Sequence, residues 1–171
     1  MAQILRGWAR TQQGEFEKGI VEIREGLERE RATGALVFDS YSLGLLADAC
    51  IKNGRYEQAF EYLGQAQLRL DRENTERFYA AEIYRLLGET HLRSSRDLDQ
   101  AKHYFIRGLN VSREQKAKSL ELRLCLSMCD LRDQKQGVNE YRSQLGEVYG
   151  WFGEGFDTAD LVKAKAKLRD V

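Results

Sequence analysis

Cys125 and Cys129 stand four residues apart, the spacing that puts two thiolates on one face of a helix, where a soft metal ion would find half of a tetrahedral shell. The sequence does not supply the other half, because neither of the two histidines, His91 and His103, has a matching partner at ligand spacing. Cys125, Cys129 and Cys50 therefore read as free thiols packed like small hydrophobes. Three cysteines, an odd number without framework spacing, suit a reducing compartment. Nucleophilic catalysis needs a Ser or Cys beside a base and an orienting carboxylate, and His91 is expected to pack or cap rather than activate a thiol. The carboxylates alternate with Arg and Lys at helical spacing, as in Glu22, Arg24, Glu25, Glu28 and Arg29, which is the pattern of a solvated face. Gly150, Gly153 and Gly155 form no phosphate-binding loop, since no strand precedes them. The expectation is no enzyme, no cofactor and no metal.

Composition narrows the partners. Lys plus Arg and Asp plus Glu each number 27 in 171 residues, so the long-range attraction that drives non-specific binding to nucleic acid or an anionic membrane is missing. No apolar run approaches the ~20 residues that span a bilayer, and the N-terminus lacks a secretion signal. The expected setting is cytoplasmic, with neither nucleic acid nor membrane as a partner. Proline is absent and charged residues make up 32%, which favours helix almost throughout.

The elements that must position these residues repeat along the chain. Gly14-Glu15-Phe16-Glu17-Lys18-Gly19, Gly54-Arg55-Tyr56-Glu57-Gln58-Ala59 and Leu98-Asp99-Gln100-Ala101 each open a run that continues into pairs such as Gly26-Leu27 and Gly108-Leu109. A degenerate fourth copy runs from Val138 through Tyr141, Leu145 and Val148. The step is about forty residues, the length of a helix-turn-helix unit, which cannot bury its apolar face alone and must stack on its neighbours. Turn signals divide residues 1–171, taken as one domain, into hairpins over about 1–34, 37–71, 75–113 and 117–151, with a capping helix over 158–170. The third hairpin's first helix is expected from about Thr75, and the fourth's is expected to run to about Gln134. Asp97 or Ser95 is expected to cap the helix that follows, and Tyr149, Trp151, Phe152 and Phe156 to fill the end of the core. The fold class is all-α, a solenoid of about four antiparallel helix pairs plus a C-terminal capping helix. Gly7, Ala47 and Gly88 share one register of the first helices, and Gly19, Ala59 and Ala101 one register of the second. Glycine inside a helix costs about 1 kcal/mol relative to alanine, so its recurrence implies that the paired helices approach closely there.

These positions resemble the tetratricopeptide repeat. The third copy has Tyr84, Leu87-Gly88, Ala101, Phe105 and Gly108-Leu109, and the second has Leu43, Leu46-Ala47, Tyr56, Ala59, Leu63 and Ala66. The first keeps Gly7, Phe16, Gly19, Ile23 and Gly26 but has Gln3 and Arg6 where apolar residues belong. The resemblance implies a tetratricopeptide-like α-solenoid whose first helices line a concave side. It places Tyr41, Gly44, Asp48 and Lys52, then Glu82, Arg85, Glu89 and Arg93, and then Leu122, Cys125, Cys129 and Arg132 toward a groove. The Lys/Asn set with which one branch of the family clamps a peptide carboxylate is not reproduced, which leaves Lys52, Arg85 and Arg93 to meet an acidic segment. The implied function is a non-catalytic interaction or regulatory module. Its partner would be a protein, a peptide segment or another domain of the parent chain.

A second resemblance lies further along. Lys118-Ser119-Leu120-Glu121-Leu122-Arg123, Leu131-Arg132-Asp133-Gln134 and the stretch from Tyr149 to Leu161, followed by Ala164-Lys165, are similar to the C-terminal repeat region of large bacterial signalling proteins. In these an adenylate or guanylate cyclase domain, or a DNA-binding domain, precedes an ATPase module, which implies a signal-transduction context with any catalysis outside this chain. The first helix, Ala2 to Gln13, is periodic from its first residues without an N-cap. It reads as a helix entered midway, with repeats upstream, and leaves Ile4, Leu5 and Trp8 as an end surface for a neighbour. A homodimer through that end is the second functional expectation.

Overall fold

The computed structural model describes residues 1–34, 36–70, 77–131 and 138–169. Among the described residues there are nine helices and no strand: α1 (Ala2–Gln12), α2 (Phe16–Ala32), α3 (Asp39–Lys52), α4 (Tyr56–Leu70), α5 (Ala80–Ser94), α6 (Leu98–Glu114), α7 (Lys118–Cys129), α8 (Val138–Gly150) and α9 (Ala159–Arg169). Helices pair in chain order, α1 with α2 through α7 with α8, and each even helix also packs on the odd helix that follows. The odd helices touch one another in sequence, α1 to α3, α3 to α5, α5 to α7 and α7 to α9. The result is an all-α, tetratricopeptide-like solenoid with an inner layer of odd helices and an outer layer of even ones. α9 occupies the place that the first helix of a fifth hairpin would take.

Local chemistry explains the turns. Gly14 and Gly54 adopt positive φ, +86° and +74°, which costs glycine little, and they reverse the chain after α1 and α3. The longer turn before α6 uses Arg96 at φ 53°, and Asp97 caps the helix by accepting the Gln100 N–H at 3.0 Å. Ser95 does not cap; its hydroxyl donates back to the His91 carbonyl at 3.2 Å. Within the first pair, the expected close crossing is real. A Cβ on Gly19 would lie 2.4 Å from Thr11 Cγ2 and 2.6 Å from the Gly7 carbonyl oxygen. In the third pair the ring of buried Phe105 lies against Gly88, where a Cβ would meet Cε1 at 2.4 Å.

Between pairs, an arginine near the end of an outer helix reaches a buried acid at the start of the next inner one, eight residues on. Arg31 Nε and Nη2 donate to both carboxylate oxygens of Asp39 at 2.5 and 3.0 Å, and Arg69 Nε adds a bond at 3.0 Å. Arg113 Nε donates to Glu121 at 2.9 Å, joined by Lys118 at 2.7 Å. Such charge-assisted forks are stronger than neutral hydrogen bonds and fix geometry as well.

α5 begins at Ala80, because Arg77 to Tyr79 form a turn in which the Ala80 N–H bonds the Arg77 carbonyl at 3.1 Å; the expected start near Thr75 lies outside the described residues. α7 ends at Cys129, and Leu131 turns into the core at 3% exposure; the expected end near Gln134 lies outside the described residues. At the C-terminal end Tyr149 and Phe152 pack against the core, but Trp151 and Phe156 stay 63% and 44% exposed. The space they were expected to fill is taken by Leu161, Ala164 and Leu168 of α9.

Candidate interaction surface

The repeat step gives the inner layer its register. Trp8, Asp48 and Glu89 occupy equivalent positions on α1, α3 and α5, and Gln12, Lys52 and Arg93 follow one turn later. The structure bears this out at the first junction, where Lys52 Nζ donates to Gln12 Oε1 at 2.9 Å and to Asp48 Oδ2 at 2.7 Å. Trp8 and Leu5 lie one and two turns before Gln12 on α1, and they remain 38% and 40% exposed. On α3, Tyr41 shares the face of Asp48 and Lys52. Its ring packs edge-on against Tyr79 at 4.8 Å and lies 6.3 Å from Phe78. Burial pushes the Tyr79 hydroxyl far above the usual phenol range, so it stays neutral.

The next junction is built differently. Glu82, Glu89 and Ser127 are buried between α5 and α7, and Arg85 joins them. Arg85 donates to both oxygens of Glu82, from Nε at 3.0 Å and Nη2 at 2.8 Å, and lies 3.5 Å from Glu89 Oε1. The Ser127 hydroxyl donates to Glu89 at 2.7 Å and accepts a long bond from Arg85 at 3.4 Å. Arg93 Nε reaches Glu89 Oε2 at 2.8 Å. Arg123 spans outward, with Nη1 3.5 Å from Glu82 and Nε 2.7 Å from Asp160 of α9, and Lys167 of α9 pairs with Asp130. Burial by itself would raise the Glu82 carboxyl. The guanidinium of Arg85, with Arg123 and Lys52 behind it, outweighs that and holds it below the usual carboxylate range. Burial likewise works against the charge on Arg85, but Glu82 and Glu89 more than compensate and keep it protonated.

The structure thus brings Tyr41, Asp48, Lys52, Glu82, Arg85, Glu89 and Arg93 onto one layer but does not leave them equally available. Glu82 and Glu89 are buried and Arg85 nearly so, and their charges meet one another, Ser127, Arg93 and Arg123. Lys52 and Arg93 keep 38% and 53% of their side-chain surface, each with an acid of its own helix beside it. Arg132 lies outside the described residues. Leu122 and Cys125 face the core rather than a groove, and Cys129 is half-buried; the α7 residues that meet α5 are Arg123 and Ser127.

The end surface is also corrected. Ile4 is fully buried at the α1–α2 crossing, against Gly26, so it offers nothing to a neighbour. The face of α1–α2 turned away from α3 carries Gln3, Arg6 and Arg10 opposite Glu22 and Glu25, already bonded across the helices: Arg6 to Glu22, Arg10 to Glu22 at 3.0 Å and Gln3 to Glu25 at 3.2 Å. In α3, against which α2 packs, the equivalent positions hold Leu43, Leu46 and Cys50, all fully buried. A hairpin stacked on α1 in the same way would meet charge where α3 presents hydrocarbon.

The remaining candidates for chemistry are packing residues. Burial pushes the Cys50 thiol up to about 11 and the Cys125 thiol up to about 12, and raises Cys129, so the reactive thiolate is suppressed. His91 lies between the rings of Phe60 (4.8 Å) and Tyr104 (5.5 Å), and burial lowers its pKa. Among the described residues no cluster of three His, Cys, Asp or Glu side chains is placed to hold a metal ion, and no helix is long and apolar enough to cross a membrane.

A family model described as Tetratricopeptide repeat matches residues 38–114, from the turn before α3 to the end of α6. No curated protein matches the chain at a significant level. Residues 38–114 are thus similar to the tetratricopeptide repeat, a repeat that generally mediates contacts between proteins.

Proposed function

We propose that this chain, on the strength of its tetratricopeptide-repeat region, is a non-catalytic module that holds a segment of a protein partner on its inner layer. The carrying observation is the inner layer itself. Trp8, Lys52 and Arg93 keep exposed surface on a layer whose deeper charges are already bound to one another, so the surface is preformed and little ordering is required on binding. A random peptide library displayed on phage and panned against the full chain tests this. The expected result is enrichment of binding peptides that protect amides of α1, α3 and α5 from hydrogen exchange. Failure to enrich any peptide, or protection confined to α2, α4 and α6, would overturn the reading.

The wider role we propose is that of a regulatory arm in a bacterial signalling protein, acting on a cyclase or ATPase domain of the parent chain in the cytoplasm. Its support is the similarity of the segments around Lys118–Arg123 and Tyr149–Leu161 to such C-terminal regions, together with three free thiols. A genomic reading frame that continues upstream of Met1 into cyclase or ATPase motifs would support this context, and a frame without them would refute it.

A further inference from the structure

The last helix is held less firmly than the ones before it, and differently. We propose that α9 is a latch on the end of the stack: it swings off as a unit about residues 153–158 while α1–α8 stay folded. Closed, it blocks the end of α7 and α8, the place where each earlier pair carries its successor. Open, it bares that apolar end and takes Asp160 away from Arg123.

Among the described residues α9 packs on α7 and α8 alone, whereas α3, α5 and α7 each have helices on both sides along the stack. Its far side carries Val162, Lys163, Lys165 and Arg169, all exposed. Leu161 and Ala164 are the buried residues of α9, where α7, one residue longer, buries six. Single-sided packing over few buried contacts lets an element open well below the global unfolding free energy. Away from its seat α9 cannot persist as a helix, because its eleven residues fall short of the ~12–15 at which isolated helices are already marginal in water.

The bonds that close the latch sit at its two ends. Asp160 accepts from Arg123 Nε at 2.7 Å, Lys167 pairs with Asp130, and the Lys167 carbonyl accepts from Arg142 Nη2 at 2.7 Å. The four ionic side chains keep between 31% and 51% of their surface, so water competes for every one of them. The connection also yields. Phe152 packs against the core, but beyond it a Cβ on Gly153 would meet nothing within 4 Å, Gly155 turns at φ +73°, and Phe156 is exposed.

Hydrogen exchange of the full chain tests this, with buried Ala164→Cys as a second reporter and buried Cys50, in the apolar cluster around α3, as its internal reference. The α9 amides should exchange together, about a hundredfold faster than those of α3 and α5. Iodoacetamide should alkylate the thiol of Ala164→Cys about tenfold or more faster than Cys50 under native conditions. Leu161→Ser should speed α9 exchange about tenfold and Asp160→Ala about threefold, both without changing α3 and α5. Exchange of α9 only in step with α7 and α8, equal alkylation of the two thiols, or acceleration of α3 and α5 along with α9 would each overturn the proposal.

Discussion

The two halves of the inner layer are held by different forces. Between α1 and α3 the inner surface is half open and crossed by Lys52 with Gln12 and Asp48, and the hairpin beneath it is fixed by bare backbone contact where Gly7 meets Gly19. Between α5 and α7 the surface is closed and ionic, with Glu82, Arg85, Glu89 and Ser127 bonded in one network. Shape complementarity between helices is insensitive to salt and pH, but it leaves side chains free on the surface. Buried ion pairs specify one geometry and consume the groups that make it. The lesson is that charge on a repeat's inner face need not be recognition chemistry, because in this protein the most richly charged stretch is the part with least left to offer a ligand.

The largest effect should come from Arg85→Ala, which removes the two-pronged partner of buried Glu82 and leaves Glu82 to Arg123 and Glu89 to Arg93 and Ser127, and should cost about 3 kcal/mol. Thermal unfolding that moves by less than about 1 kcal/mol would break the contrast. The triple change Glu82→Leu, Arg85→Met, Glu89→Leu should recover most of that loss, since removing all the charges removes the penalty of isolating one. In the α1–α3 half, Gly19→Ala should reverse the usual gain of about 1 kcal/mol for replacing helical glycine. It should cost about 1–3 kcal/mol, because the new methyl meets the Gly7 carbonyl. Ser127→Ala should cost about 1–2 kcal/mol through the lost donor to Glu89.

Acid should separate the halves without any mutation. Glu82 and Glu121 both have lowered pKa values. Burial opposes this, but the bonds from Arg85 and from Lys118 and Arg113 prevail. Their contribution is complete above the ordinary value of 4.5 and is lost as pH falls below it through the folded value. His91, lowered by burial, adds a decline that starts as pH drops past its ordinary 6.5, where the unfolded chain takes up the proton first. Hydrogen exchange at falling pH should therefore open α5 and α7 before α1 and α2. The smallest effect should be on the stability of Trp8→Ser, within about 0.5 kcal/mol for an exposed site.

The sequence made the scaffold legible wherever a physical constraint recurs at a fixed step. Small residues at Gly7, Ala47 and Gly88 and at Gly19, Ala59 and Ala101 marked the tight positions, with the backbones in contact where Gly7 meets Gly19 and the Phe105 ring seated on Gly88. Period 3.6 likewise put Tyr41, Asp48 and Lys52, and Glu82, Arg85, Glu89 and Arg93, on common faces. Whether those charges were free was not legible, since Arg85's neighbours include Ser127, forty-two residues away. The register of α7 was obscured by Leu120, Leu122, Leu124 and Leu126, which alternate and so spread hydrocarbon around the helix. Trp8 shares its register with Asp48 and Glu89, as stepping back from Glu89 through Asp48 shows, whereas the end-surface expectation rested on the uncapped start of the first helix.

One guanidinium ties three helices, because Arg123 on α7 holds Glu82 of α5 with one arm and Asp160 of α9 with the other. A displacement of the last helix by more than a bond's slack must either snap that tie or drag the middle of the molecule with it. α9 thus joins the edge of the α5–α7 charge network through Asp160 as well as covering the end of the core.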